Sequence, residues 1–380
     1  MADRCRGFRA AIVCGCALLG TVPAALAATS PAGATSPMAG GSSRPVFRFA
    51  DTRIDEASGI GVGIASPGVV YVQNDSGDSA RFFAVDASTG TTLAVYTVPG
   101  ARNVDWEDLA VARDARGVPS VWLADIGDND ATRDEVRIYR VDEPVVDRHR
   151  VGLQLTTTAP SVWRLRYPDG PTDAEALTVA PGGAGYVVTK SFFGESSVYA
   201  VPAIADPTRV QTLRRVAAIR FSMTGTPGGP SAIGQLTATG AGMSADGRLL
   251  AVRTYTDAYL WPVSGGDIAA ALRGSPVRLA LPEQRLGEGV AVQRSTLLVD
   301  SEGVGSTVYA VPTPSVPTRS GSPVASAGAS EPNTVRTGST STSARRSTTV
   351  GRSRWLWLGL GALALAGAGV SSISLRRRRR

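Results

Sequence analysis

The sequence predicts an all-β fold, and three observations carry that expectation. Short runs rich in Val, Tyr, Leu and Thr alternate with Gly, Asp and Pro clusters throughout residues 46–312, the pattern of many short strands. Sustained helical periodicity is nearly absent from the same stretch. One unit, of the form acid, small residue, strand, turn, strand, polar loop, strand, recurs along it.

The units follow one another in order. The first begins at Glu56 and continues through 69–73, the acidic loop 74–78 and 82–85. The second begins at Glu107 and continues through 121–125, the loop 127–130 and 136–141. The third begins at Glu175 and takes in 186–190 and 197–201, while the fourth takes in 242–247, 249–253 and 258–261. The fifth begins at Glu288 and takes in 296–300 and 306–311. A unit of three or four strands recurring every ~40–50 residues is how a β-propeller blade reads in sequence. A β-sandwich would not repeat the same order. Starts near 56, 107, 175, 239 and 288 leave two long spacings, in which residues 161–167 and 212–219 supply either outer strands or a further blade. The expectation is a propeller of about six blades, within a range of five to seven.

The ends of the chain place this domain outside a membrane. Arg4, Arg6 and Arg9 precede an apolar run that ends in Ala25-Leu26-Ala27, so residues 1–27 read as a signal peptide. A flexible leader covers 28–45, the propeller 46–312, and a Ser/Thr/Pro-rich stalk 313–353, which is too poor in large apolar residues to fold. Residues 354–375, uncharged from Trp355 onward, are long enough to span a bilayer as one helix. Arg376 to Arg380 form a basic tail that the positive-inside rule assigns to the cytoplasm. The expected localisation is the cell membrane, single-pass type I, with an extracellular ectodomain. Cys5, Cys14 and Cys16 all fall in the signal peptide, which leaves the mature chain without a disulfide.

Charge separates along the same boundaries. The whole chain carries +7, yet residues 46–312 hold 24 Arg and Lys against 30 Asp and Glu, a net −6. Nucleic acid is excluded as a partner, because a phosphate-backbone binder needs clustered basic residues. A cation is the expected partner instead.

Glu56, Glu107, Glu175 and Glu288 share one register in four of the units, with Thr239 in the fourth unit of the five. If that strand lines the tunnel, four carboxylates converge, and they either bind Ca2+, a hard ion that takes oxygen ligands, or accept hydrogen bonds from neighbouring blades. Asp75, Asp78, Asp125, Asp128, Asp300 and Glu302 follow the second strand of their units. They are further candidate metal ligands, or they serve tight turns. Lys190, the chain's only lysine, is aligned with Asp125 and Asp300, and Arg253 or Thr254 takes that place in the fourth unit; Lys190 and Arg253 either grip an anionic ligand or form internal salt bridges. His149 is the sole histidine and no Gly-x-Ser-x-Gly elbow exists, so neither a Ser-His-Asp hydrolase nor an ordinary zinc site is expected. Trp106, Trp122, Trp163 and Trp261 read as blade core.

At residues 74–78, 105–108, 125–129, Glu143-Pro144, 167–170 with 173–176, and 253–255 the chain resembles exported bacterial propellers described as phytase-like (esterase-like activity of phytase) or WD40-repeat-like. The resemblance covers most of 53–312. It implies the propeller fold and, through the phytase-like label, a calcium-dependent phosphoester hydrolase. The residues themselves favour a surface module, calcium-stabilised, that binds an extracellular protein, glycan or cell-wall ligand, because few basic residues lie near the acidic rim. Hydrolysis is the alternative, with Lys190 and Arg253 holding the phosphate.

Overall fold

A computed structural model describes residues 42–314. The chain enters as β1 (Arg44–Arg48) and then lays down a four-strand meander, β2 (Ala57–Val62), β3 (Val69–Asn74), β4 (Arg81–Asp86) and β5 (Thr92–Thr97). Val, Ile, Phe and Tyr fill these strands on both faces, as expected of sheets stacked between neighbours. A second meander uses β6 (Trp106–Arg113), β7 (Pro119–Asp125) and β8 (Val136–Asp142). The chain then makes β9 (Leu153–Thr156), which pairs in parallel with β5 of the first sheet, and returns as β10 (Ser161–Arg166) beside β8. The third meander is β11 (Ala174–Ala180), β12 (Ala184–Thr189) and β13 (Glu195–Ala200). It lends β14 (Gln211–Thr212) in parallel to β10 before closing with β15 (Arg214–Arg220).

The fourth sheet holds β16 (Ala238–Met243), β17 (Leu249–Thr254), β18 (Asp257–Pro262) and, after a short α1 (Ile268–Leu272), β19 (Val277–Ala280). The fifth holds β20 (Val290–Gln293), β21 (Thr296–Val299) and β22 (Thr307–Pro312), and β1 completes it from the other end of the described chain. The inner strands β2, β6, β11, β16 and β20 neighbour one another in that order, and β20 returns to β2. The chain folds as a five-bladed β-propeller.

Six blades were the preferred expectation, and five are present among the described residues. The two long spacings hold no extra blade. Residues 161–167 and 212–219 are the outer strands β10 and β15, and the remaining length is spent on β9, β14 and the long connection from β15 to β16. The strands lent backward cover the outer edges of the first two blades, which would otherwise expose unpaired amides.

Stability without disulfides rests on the seams between blades. Five apolar clusters each join adjacent blades, and Trp106, Trp122, Trp163 and Trp261 are buried in them. Full burial of such side chains contributes about 1.5–3 kcal/mol each for the aliphatic and phenyl groups. Among the described residues no helix is long and apolar enough to cross a membrane. The signal peptide, the transmembrane helix, the basic tail and nearly all of the leader and stalk lie outside the described residues.

Candidate functional site: an acidic mouth on the propeller axis

The inner strands open with a shared irregularity. A β-bulge falls between Ala57 and Gly59, Trp106 and Asp108, Ala174 and Ala176, and Ala238 and Gly240. The bulged residues are therefore Ser58, Glu107, Glu175 and Thr239, and a bulge re-aims its side chain away from the strand's alternation. Glu288 takes the same place ahead of β20, two residues before Val290.

Glu56 does not belong to this ring. Its carbonyl accepts the amide of Asp75, as the carbonyls of Asp105, Asp173 and Leu286 accept those of Gly127, Lys190 and Glu302. Glu56 thus corresponds to Asp105 and Asp173, and Ser58 stands where the sequence alignment placed a glutamate. Glu56 is exposed at the rim, whereas Glu107, Glu175 and Glu288 are buried. Three glutamates converge, not four.

Strand pairing also separates the residues aligned with Lys190. Asn74, Asp125, Thr189 and Thr254 are the equivalent positions, opposite the residue ahead of each bulge. Lys190 lies one residue beyond, Arg253 one residue before, and Asp300 one beyond Val299, the partner of Val290. Lys190 follows the last residue of β12 and escapes the strand's alternation, whereas Arg253 lies inside β17 and keeps it. Lys190 consequently enters the mouth and bonds Glu175, with Asp173 at 3.8 Å. Arg253 is fully buried in the wall and donates to the carbonyls of Gly289 (2.8 Å) and Asp300 (3.1 Å). Asp300 is fully buried beside it and accepts the Gly289 amide at 2.7 Å.

The loop acids divide in the same way. Asp75 and Glu302 reach the mouth, where their carboxyls feel Glu175. Asp78 pairs with Arg81 at 2.8 Å and Asp125 with Arg133 at 2.8 Å, while Asp128 caps the amides of Thr132 and Arg133 at 2.9 Å each. Asp105, Asp173 and Tyr255 complete the mouth, and none of them stood among the candidate ligands. The spacing acid-x-Glu, present in Asp105-Trp106-Glu107 and again in Asp173-Ala174-Glu175, was the sequence signal for the two aspartates.

Glu107 is the centre of the arrangement. Carboxylate oxygens of Asp75, Asp105 and Glu107 lie within 4.8 Å of one another, and so do those of Glu107, Asp173 and Glu175. At an effective dielectric near 20, two unit charges at that separation repel by roughly 3.5 kcal/mol. The mouth cannot hold every acid ionised without cations. Burial, followed by Glu175, Asp75 and Asp105, pushes Glu107 well above the usual carboxylate range, and burial raises Glu175 against the pull of Lys190. Burial and then Glu175 raise Glu288 likewise. Asp75 is pushed up to about 8 by burial and then by Asp105, Asp105 to about 6 by burial and then by Asp173, and Glu302 to about 7 by burial and then by Glu56. Burial alone would lower Lys190, but Glu175 and its neighbours hold the ammonium charged. One Glu288 oxygen, Oε2, is buried with no hydrogen-bond partner.

The floor of the mouth is one residue deeper. Gly59, Asp108, Ala176, Gly240 and Gly289 form that row, and a Cβ at Gly59 would lie 2.1 Å from the Leu109 nitrogen and one at Gly240 2.6 Å from the Glu288 oxygen. Five blades leave an axis too narrow for five side chains. Four small residues leave room for one, and the Asp108 carboxylate fills it, accepting the amides of Leu109 (2.7 Å), Leu177 (2.8 Å) and Ala241 (3.0 Å).

No family model matches the chain, and no curated protein matches it. Among solved structures it is similar to the PQQ-bound aldose sugar dehydrogenase of Streptomyces coelicolor, at 13% identity and a TM-score of 0.39, over 73% of this chain and 99% of that one. It is also similar to the Cps50 (Swd1) β-propeller domain of Myceliophteria thermophila, at 11% identity and a TM-score of 0.34, over 68% and 84%. A nidogen/laminin complex matches at 14% identity and a TM-score of 0.35, over 67% and 74%. Propeller folds host unrelated activities.

Proposed function

We propose that this chain is an extracellular binding module, tethered to the cell membrane by its C-terminal segment, whose axial mouth holds Ca2+ and meets a protein, glycan or cell-wall partner. One observation carries the reading: Glu107 is shared by two carboxylate triads, each drawn together within 4.8 Å. The donor set fits the ion, since both triads consist of hard carboxylate oxygens. Asp75, Asp105 and Glu107 would hold one ion, or Glu107, Asp173 and Glu175 with Lys190 displaced. Bound calcium supplies positive charge against which the buried acids can ionise. Signal peptide, stalk, apolar segment and arginine tail support the tethered topology.

The test is calorimetric titration of the full-length chain with calcium and with magnesium. Calcium is expected to bind and magnesium to bind more weakly, because magnesium demands tighter octahedral geometry. Absence of calcium binding near neutral pH would end the metal reading. Protease added to intact cells is expected to release the propeller by cutting between 313 and 353.

A second reading, calcium-dependent phosphoester hydrolysis of the phytase-like kind, draws on the same two carboxylate triads that share Glu107, which would hold calcium to activate water. Arg253, buried in the wall, is poorly placed to hold a phosphate, and Lys190 is engaged by Glu175. Calcium-dependent phosphate release from phytate or p-nitrophenyl phosphate would favour this reading over simple binding.

A further inference from the structure

Beneath the Asp108 floor the tunnel opens again, on the opposite face, into a chamber of about 260 Å³. Its walls include Ile60, Leu109, Val111, Val179, Met243 and Val290, and no Asp or Glu lines it. A second cavity of about 140 Å³ shares Val111, Val179 and Met243 with it. Water is poorly held in such a place, since a stable buried water makes roughly two to four hydrogen bonds. Glu143 is the carboxylate near this mouth, and its oxygens are taken by the amides of Ile64, Ala65 and Ser66 and by the Tyr71 hydroxyl.

The chamber's lining contains one charged residue, Arg294. It occupies the two-residue turn between β20 and β21 with φ of 55°, a left-handed conformation that strains residues other than glycine. The connections at this end of the other four blades are longer, three to six residues against two, and each carries a glycine at positive φ, Gly68 (80°), Gly117 (80°), Gly183 (85°) and Gly247 (69°). Among these five connections only the two-residue one has a charged residue at positive φ, an exposed arginine at the chamber mouth. Glycine adopts this conformation without strain, so the backbone at this position does not itself call for an arginine.

We infer that the lower chamber binds an aliphatic acid, with its hydrocarbon chain among the valines and Met243 and its carboxylate on Arg294. At ~30 Å³ per water-sized group, the chamber takes a chain on the order of eight carbons. Guanidinium and carboxylate form a charge-assisted pair, which gives the ligand one orientation. Asp108 separates this site from the acidic mouth, so it stands or falls independently of the calcium reading.

The experiment uses the full-length chain in lipid nanodiscs free of detergent, with melting followed by tryptophan fluorescence and sodium octanoate and 1-octanol as probes. Octanoate is expected to raise the melting temperature, in chelator as well as in calcium, and octanol to act at least about tenfold more weakly. Arg294→Gly is expected to melt at the same or a higher temperature without ligand, because the turn strain is relieved, yet to bind octanoate no better than octanol. Met243→Trp is expected to fill the chamber and lose the response, and Val179→Phe serves the same purpose if the tryptophan does not fold. The inference is overturned by a wild type indifferent to octanoate, by a full response in Arg294→Gly, or by a response that requires calcium. A lower ligand-free melting temperature in Arg294→Gly would make Arg294 a structural residue and overturn it equally.

Discussion

The Asp108 carboxylate accepts the backbone amide of Ala241 at 3.0 Å, joining the second blade to the fourth across 133 residues of sequence. The same oxygen accepts Leu177 of the third blade at 2.8 Å. Burial pushes the carboxyl up, and three amides pull it back. Asp108→Ala would leave those amides unpaired at the axis, at about 1–3 kcal/mol each. Chemical denaturation is expected to show a loss of roughly 3–9 kcal/mol, and Asp108→Asn a smaller one. A loss below ~1 kcal/mol in the alanine variant would mean that the seams alone hold the ring.

Calcium at about 100 times its dissociation constant is expected to add roughly 2.7 kcal/mol of stability. For a domain of this size that is a rise of about 5–10 °C. Replacing Glu107 and Glu175 together by Gln is expected to abolish the rise and keep the fold, since Gln preserves shape and removes charge. Identical melting of the unmodified chain in chelator and in millimolar calcium would refute the site.

Lys190→Met is expected to act oppositely in the two conditions. In chelator it strips Glu175 and Asp173 of their ammonium, and breaking a buried pair costs about 3–5 kcal/mol. In calcium the ion replaces that charge. The variant is therefore expected to melt lower than wild type in chelator and to bind calcium more tightly by calorimetry. Unchanged calcium affinity would show that the ammonium and the ion occupy separate places.

The acidity of the mouth sets the direction of pH dependence. Asp75 at about 8, Glu302 at about 7 and Asp105 at about 6 all lie above the carboxylate values of an unfolded chain. Between those values the folded state binds more protons, so stability falls as pH rises. Melting temperature in chelator is expected to drop from pH 5 to pH 8. Calcium binds the deprotonated carboxylates, so the gap between calcium and chelator curves is expected to widen over the same range. A rise in chelator would contradict the burial of these acids.

The sequence by itself determined what depends on local pattern: strands, because alternation and turn residues act within a few positions; the repeated unit; the acidic domain between basic ends; and the presence of Glu107, Glu175 and Glu288 at one place in the repeat. What only the tertiary structure decided depends on partners far along the chain. Blade number turned on β9 and β14 pairing backward, which no spacing reveals. Register turned on the bulges that put Ser58, not Glu56, beside Glu107, and on the end of β12 at Thr189, which leaves Lys190 past the strand in the mouth while Arg253, inside β17, is buried in the wall. Asp75, Glu302, Asp105 and Asp173 became neighbours of the glutamates through ring closure. Asp108 looked like one more acid in an acidic motif until four small residues, each on a different blade, left it the only side chain that fits the axis. Pairing period two makes a one-residue shift reverse a side chain, so long-range hydrogen bonds, rather than local propensity, chose which acids meet.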